Sequence, residues 1–151
     1  MKTERTLIII KPDALQRNLM GEIIRRFEQK GLKIVGIKML NLHDELLEDH
    51  YHHHKDKAFF IDLKMFMKSS PVVAIVLEGR AGAVEGVRLI VGATKGVDAD
   101  AGTIRGDMAM SNQNLVHASD SPENAEKEIY RFFNENELFE YTKLDERMVY
   151  E

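Results

Sequence analysis

Apolar residues gather along this chain in short runs whose spacing alternates between two periods. Thr6 to Ile10 is β-branched and apolar, with charge before it and Lys11-Pro12-Asp13 after, which predicts a buried central strand. From Met20 the apolar positions fall at Met20, Ile23, Ile24 and Phe27, the stripe of an amphipathic helix, and Gly31 supplies its stop. Ile34, Val35, Ile37, Met39 and Leu40 interleave with Lys33, Gly36 and Lys38, predicting a strand with one solvated face. Asp44 predicts the cap of a short helix through His50, and Phe59 to Met67 a second helix, the two making a hairpin. Pro71 opens a strand over Val72 to Leu77, and Val84, Val87 and Val91 mark a helix that ends near Gly92. Residues 92–114 hold four glycines and no sustained period, which predicts a long loop. Leu115 to Ala118 reads as the last strand. Ser121-Pro122-Glu123 then gives an N-cap, a proline at the first helical position and an acidic first turn. That helix continues through Ala125, Ile129, Phe132 and Phe133, and Leu138 to Glu151 is a mixed tail expected to dock on the body or on a neighbour.

The order β-α-β-(αα)-β-α-β-α fits an α+β fold, a ferredoxin-like four-stranded antiparallel sheet with helices packed on one face. With 151 residues, 44% of them apolar and no repeat or low-complexity tract, the chain is expected to form a single domain, 1–151, around one core. Cysteine is absent, which excludes disulfides and thiolate chemistry. The formal charge of −4 gives no global attraction for nucleic acid or acidic membranes, so any anion site must be local. The apolar runs are too short for a signal core or a membrane span, and a soluble, cytoplasmic protein is expected.

Two common phosphate-cradling loops, G-x-x-x-x-G-K-[ST] and G-x-G-x-x-G, do not occur, and neither does H-E-x-x-H. What remains is a set of polar residues where a strand ends or the long loop passes: Lys11, Arg88, Thr94, Arg105, Asn114 and His117. The segment Asn114-Leu-Val-His117-Ala-Ser119-Asp120-Ser121 resembles the active-site signature of nucleoside diphosphate kinases, N-x-x-H-[GA]-S-D, without departure. Glu4 to Asp13, Gly21-Glu-Ile-Ile, Arg26 to Gly31, Pro71 to Val76, Gly102 to Asp107 and Ala125-Glu-Lys-Glu128-Ile resemble the family in the same order. The similarity runs from Glu4 to Tyr150-Glu151.

The resemblance implies transfer of a terminal phosphoryl group from a nucleoside triphosphate to a nucleoside diphosphate through a phosphohistidine on His117. Physical chemistry suits such a carrier, because an imidazole of ordinary pKa, about 6.5, is mostly neutral near pH 7 and attacks phosphorus without a separate base. Phosphoryl transfer passes through a loose transition state, so alignment and fixed positive charge do most of the work. By the resemblance, Lys11, Arg88, Thr94 and Arg105 contact phosphates, with Mg2+ bridging those of the nucleotide and no metal held by protein ligands alone. Lys11 and Asn114 match positions at the ribose hydroxyls and Phe59 the ring on which the base stacks, which predicts tolerance of any base. Ser119 and Glu128 match the residues that hold the histidine, and Tyr51 a further residue of the pocket. The family assembles as hexamers or tetramers, and the tail through Tyr150-Glu151 resembles the hexameric members, so a homo-oligomer with hexamer favoured over tetramer is expected.

Other readings of the same residues carry less. His50, Tyr51, His52, His53 and His54 invite a zinc site, but no Cys or fixed acid accompanies them, and a solvated helix end is expected. Met65, Met67, Met108 and Met110 are read as core filler, and Arg105-Gly106-Asp107 as part of the Gly102 to Asp107 block. Of Phe59 and Phe60, one ring is expected inward and one at the pocket. The long loop has Gly96 and Ala101 where family members commonly carry prolines. Relative to many of them, the stretch from Gly79 to Arg88 is one residue longer and that from Asp107 to Asn114 one shorter. A catalytically idle nucleotide-binding member of the fold is the competing function, and a nucleic-acid-binding regulator is disfavoured by the acidic balance.

Overall fold

The computed structural model describes residues 2–151. Four strands, β1 (Thr3–Ile10), β2 (Lys33–Leu40), β3 (Val72–Arg80) and β4 (Val116–Ala118), form one sheet in the order β2-β3-β1-β4. Every neighbouring pair is antiparallel. Around it run α1 (Pro12–Gln16), α2 (Met20–Lys30), α3 (Asp44–His50), α4 (Phe60–Met67), α5 (Ala83–Val91), α6 (Ile104–Met108), α7 (Pro122–Phe132) and α8 (Glu146–Tyr150). The α+β, ferredoxin-like arrangement is the one observed. One detail differs, since helices cover both faces of the sheet rather than one.

The reason lies in β1 and β3. Leu7 through Ile10 and Val72 through Leu77 are buried at every position, so side chains pointing either way from the pleat need a cover. Ile8, Ile10, Val73, Ile75 and Leu77 pack against Ile23 and Phe27 of α2 and Val87 and Val91 of α5. Leu7, Ile9, Val72, Ala74 and Val76 pack against Leu47 of α3, Phe60 and Met67 of α4, and Ile129 and Phe132 of α7. Each fully buried aliphatic contributes about 1.5–3 kcal/mol, and two such layers on one sheet make the centre of β1 the most protected part of the molecule.

Local signals set the element ends. Gly31 closes α2 at φ +98°, where its N–H donates to Glu28 O and that of Leu32 to Phe27 O. A Cβ at Gly31 would run into Val149, so the same glycine admits α8. Ser121 caps α7 by accepting from Asn124 N at 3.1 Å, with Pro122 in the first turn. The cap of α3 is His43, whose ring accepts from Leu46 N, and Asp44 instead occupies the first turn. The tail docks on the body: Phe139 N–H donates to Val35 O at the irregularity of β2, and Arg80 N–H donates to the Tyr150 hydroxyl at 3.3 Å. Met67 is buried, whereas Met65 and Met110 are exposed, so only part of the methionine set fills core.

The 92–114 segment is more ordered than its composition suggests. It holds α6 and a 3₁₀ turn at Gly96–Asp98, and polar bonds hold it to the body. Arg17 donates to Met108 O at 2.6 Å, Arg26 pairs with Asp107 at 2.8 Å, and Asp107 also accepts from Gly102 N at 2.8 Å. Asp107 is thereby committed within the chain. Gly96 N–H donates to Ser111 O, and a Cβ at Gly96 would collide with the backbone of Ala109. Proline there would lose the donor and overfill the site. Gly96→Pro is therefore expected to lower stability by about 2–3 kcal/mol, read as the urea midpoint; a raised midpoint would show that unfolded-state entropy dominates instead.

Candidate active site

The period of two along β4 places its histidine. Val116 and Ala118 point into the layer of α2 and α5, so His117 between them points to the opposite face, beneath α7 and α3. There the imidazole is neither core nor surface, with 19% of its side chain exposed. Nε2 lies 3.0 Å from Glu128 Oε1, and the Ser119 hydroxyl donates to that same oxygen at 2.6 Å. Ser119 in turn accepts from Leu7 N at 3.2 Å, which ties the group to the buried centre of β1.

A carboxylate only accepts, so the ring nitrogen facing it carries the proton. The neutral imidazole is then the Nε2–H tautomer, and its lone pair is on Nδ1, which has no protein partner among the described residues. Burial alone would raise Glu128, but the bonds from His117 and Ser119 outweigh it and hold the carboxyl below its ordinary range. The base of the orienting bond thus stays ionised wherever His117 itself is neutral.

Just before β4 the backbone is strained. Leu115 is buried at φ +72°, and Val116 N–H donates to Asn114 O at 2.8 Å, closing a γ-turn around it. Three neighbours impose it: Leu115 N–H donates to Asp13 Oδ2 at 3.0 Å, Lys11 N–H donates to Leu115 O at 2.9 Å, and Leu115 is packed in the core. The turn aims Asn114 into the cleft. Its Oδ1 accepts from Lys11 Nζ at 2.9 Å while its Nδ2 donates to Thr94 O at 2.7 Å, so end of strand, loop and turn are joined through one amide.

Arg105 reaches the same place from α6. It is 4% exposed, and its Nε, Nη1 and Nη2 donate to the carbonyls of Asn114, Gly92 and Val116 at 3.2, 3.1 and 2.5 Å. A guanidinium has five N–H groups, so two remain for an anion. Burial, and then Arg88, push it down to about 10. Arg88, from α5, donates to Ala118 O at 3.2 Å. Lys11 is pushed down to about 8, first by burial and then by Arg105, with Asp13 partly offsetting. Uncompensated, crowded positive charge is costly to the fold and well suited to an incoming polyanion.

These groups line one cleft of about 560 Å³. It brings together Lys11, Tyr51, Phe59, Arg88, Thr94, Arg105, Asn114, His117 and Glu128, leaving Ser119 sealed behind the histidine. Phe59 is 48% exposed at its mouth, and the adjacent Phe60, the first residue of α4, is 5% exposed and packed in the core. Tyr51 is buried, and burial with Glu128 pushes its phenol above the usual range. His52, His53 and His54 also border the cleft from a 3₁₀ turn, without converging on a common point with a third donor.

One lining residue departs from its expected place, since the sequence puts His50 in a solvated helix end, and another, Arg131, was not singled out from the sequence. His50 is buried beside His117, and Arg131 of α7 donates to it. His50, His117 and Glu128 bring nitrogen and oxygen atoms near one another. Of their ring nitrogens, His50 Nδ1 is engaged by Arg131 and His117 Nε2 by Glu128, and a metal beside these two would face the guanidinium.

Lys11 sets a pH dependence. On the reading of Lys11 as a phosphate ligand, phosphate takes its protonated form, so this contact is expected to be complete below about pH 8 and lost as pH rises through that value. The KM for a nucleoside diphosphate is then expected to climb toward tenfold per pH unit above pH 8, with kcat falling as well once Lys11 in the complex loses its proton. A KM that stays flat from pH 7 to 10 would remove Lys11 from phosphate binding. Stability moves the other way, because the folded value lies below the unfolded 10.5 and the lysine's charge is relieved between about 8 and 10.5.

Comparison with known proteins gives one consistent family. A family profile described as nucleoside diphosphate kinase matches residues 4–138. The chain is 56% identical to the nucleoside diphosphate kinase of Pyrococcus horikoshii over 94% of this chain and 92% of that protein. It is 48% identical to that of Methanobrevibacter smithii over 98% and 99%. Among solved structures, a halophilic nucleoside diphosphate kinase from Halobacterium salinarum in complex with CDP superposes with a TM-score of 0.94, at 45% identity and 98% and 99% coverage.

Proposed function

The chain belongs to the nucleoside diphosphate kinase family, and we propose that Nδ1 of His117 is its phosphoryl carrier. The protein is a phosphotransferase that moves the terminal phosphoryl group of a nucleoside triphosphate to a nucleoside diphosphate through a phosphohistidine, keeping NTP and dNTP pools in balance. The observation that carries the assignment of His117 is its bond to Glu128, which leaves the nucleophilic lone pair on the nitrogen without a protein partner.

In the first half-reaction Nδ1 attacks the γ-phosphorus, the bond from that phosphorus to the β–γ bridging oxygen breaks, and the diphosphate leaves. In the second, a terminal oxygen of another diphosphate attacks the phosphohistidine and restores the neutral ring. Lys11, Arg88 and Arg105 hold the charge on the transferring oxygens, and Thr94 with them grips the phosphate chain. Asn114 and Lys11 reach the ribose, the base stacks on Phe59, and Tyr51 closes the pocket beside the histidine. Ser119 and Glu128 keep the ring from turning, which shortens the search for in-line attack.

Mg2+ enters with the nucleotide. Of the carboxylates lining the cleft, Asp120 accepts from Asn124 and Glu128 is engaged by His117 and Ser119, so the phosphates supply the hard oxygen ligands that magnesium prefers. Held by those phosphates, Mg2+ would supply neutralisation of their charge. Residues 1–151 act as one domain, in the cytoplasm, and no helix among the described residues is long and apolar enough to cross a membrane. We read the protein as a homo-oligomer, hexamer favoured over tetramer; exposed Ile37 and Met39 on the edge strand β2 and Val97 and Met110 on the long loop support self-association. Light scattering behind a sizing column reads its mass.

The test of function is a two-step transfer. Incubation with a γ-labelled triphosphate alone is expected to give an acid-labile, base-stable label on the protein, which a diphosphate then discharges as labelled triphosphate. Binding of nucleotide without label would make the chain the idle member of the fold.

A further inference from the structure

Behind His117, on the side of Nε2, sits a second imidazole that the transfer reaction as described leaves without a role. His50 closes α3, is 4% exposed, and stands edge-on to His117 with ring centroids 4.7 Å apart and planes at 78°. Arg131 Nη1 donates to His50 Nδ1 at 3.1 Å, and Arg131 Nε forms an ion pair with Asp49 Oδ2 at 3.0 Å, which also holds the guanidinium. The second oxygen of Glu128 lies 4.0 Å from that same His50 Nδ1.

We propose that Arg131 and His50 are positioning residues for the phosphoryl carrier, with Arg131 locking His50 as a neutral ring so that Glu128 serves His117 alone. The inference rests on the reading of His117 as carrier. A guanidinium donates and never accepts, so Arg131 at hydrogen-bond distance requires an unprotonated Nδ1 on His50. Without that bond the nitrogen would be free to take a proton. It would then be a cationic donor within a small rotation of Glu128 Oε2, competing for the carboxylate that orients His117. The lock has a cost that a purely structural contact would avoid, because His50 Nε2 is left buried with no hydrogen-bond partner among the described residues.

The charged and titratable groups facing His50 act in one direction with one exception. Burial comes first, followed by His117 of β4; Arg131 of α7 and His53 of the neighbouring turn add to the effect, and only Glu128 opposes, leaving His50 at about 3. Tyr51, packed at 4.6 Å, has its phenol above the usual range and stays neutral. Removing Arg131 deletes both the donor and a positive charge, and both changes favour a proton on His50.

The experiment is the rate of phosphoenzyme formation from a γ-labelled triphosphate, measured at pH 8 and pH 6. In Arg131→Met the ratio of the two rates is expected to grow severalfold over wild type, as loss of the donor frees His50 Nδ1 to take a proton that burial and His117 still oppose, with the KM for nucleotide little moved. Arg131→Lys, which keeps a donor and its charge, is expected to retain the wild-type ratio. Adding His50→Asn to Arg131→Met supplies an acceptor that takes no proton and is expected to restore it. A wild-type ratio in Arg131→Met, or a steep ratio surviving in the double variant, overturns the proposal. NMR of wild type decides independently of any variant: the His50 ring signal should stay flat from pH 8 to 5 in the Nε2–H form, and titration in that range overturns the lock. Absence of label on wild type at either pH would instead refute His117 as carrier, with the NMR result still deciding on His50.

Discussion

His117→Ala is expected to lose phosphoenzyme formation entirely and to lower kcat/KM by at least about four orders of magnitude, more than about 5 kcal/mol of transition-state stabilisation. The size follows from the arrangement. No other nucleophile in the cleft is held with a free lone pair and an ionised partner behind it; the Ser119 hydroxyl is sealed and committed to Glu128. Direct transfer between two nucleotides would need both in a cleft of about 560 Å³ lined for one set of phosphates. The fold should survive the change, because β4 is held by backbone bonds to β1 and by Val116 and Ala118, which are untouched. Nucleotide affinity, measured by calorimetry, is expected to stay within a few-fold of wild type, since Lys11, Arg88 and Arg105 remain. Turnover near the wild-type rate in a folded, nucleotide-binding His117→Ala protein would sink the covalent mechanism.

How far the site was readable from the chain depends on how local each signal was. Asn114 to Ser121 is contiguous, and the alternation along β4 already says that His117 faces away from Val116 and Ala118. The caps at Gly31 and Ser121 were equally local, and both stand where the sequence puts them. Short elements escaped. α1 and α6 have five residues each, too few for any period to show, and α6 is held by Thr103 and Arg105 rather than by an apolar stripe. The second helical layer was implicit in Leu7 to Ile10, where four consecutive buried residues cannot all face one side. His50 was obscured by its neighbours: within a run of histidines it looks solvated, and what buries it is Phe132 and His117, far along the chain. Its partner Arg131 is 81 positions away, a pairing that no spacing rule reaches.

Arg105→Met is expected to damage stability and catalysis together, and the two losses separate by measurement. On folding, methionine fills much of the volume but leaves the carbonyls of Gly92 and Val116 without the Arg105 donor, and that of Asn114 with only the N–H of Val116. Each orphaned buried acceptor costs about 1–3 kcal/mol, while the relief of a buried charge crowded by Arg88 returns part of it. A net loss of about 2–4 kcal/mol, or roughly 5–10 °C in Tm, is expected. The lost bonds are those that join the 92–114 segment to the γ-turn at Leu115, so Asn114 and His117 loosen with them. On catalysis, with Arg105 read as a phosphate ligand, its two remaining N–H groups disappear, which is expected to cost a factor of about 10² to 10³ in kcat/KM. Arg105→Lys divides the two roles, since an ammonium keeps the charge but cannot span three carbonyls. It should recover part of the rate and little of the Tm. A methionine variant as stable as wild type would show that the carbonyl bonds do not hold the loop. Lowered stability with an unchanged kcat/KM, at a temperature where the variant is folded, would make the guanidinium a strut with no hand in phosphate transfer.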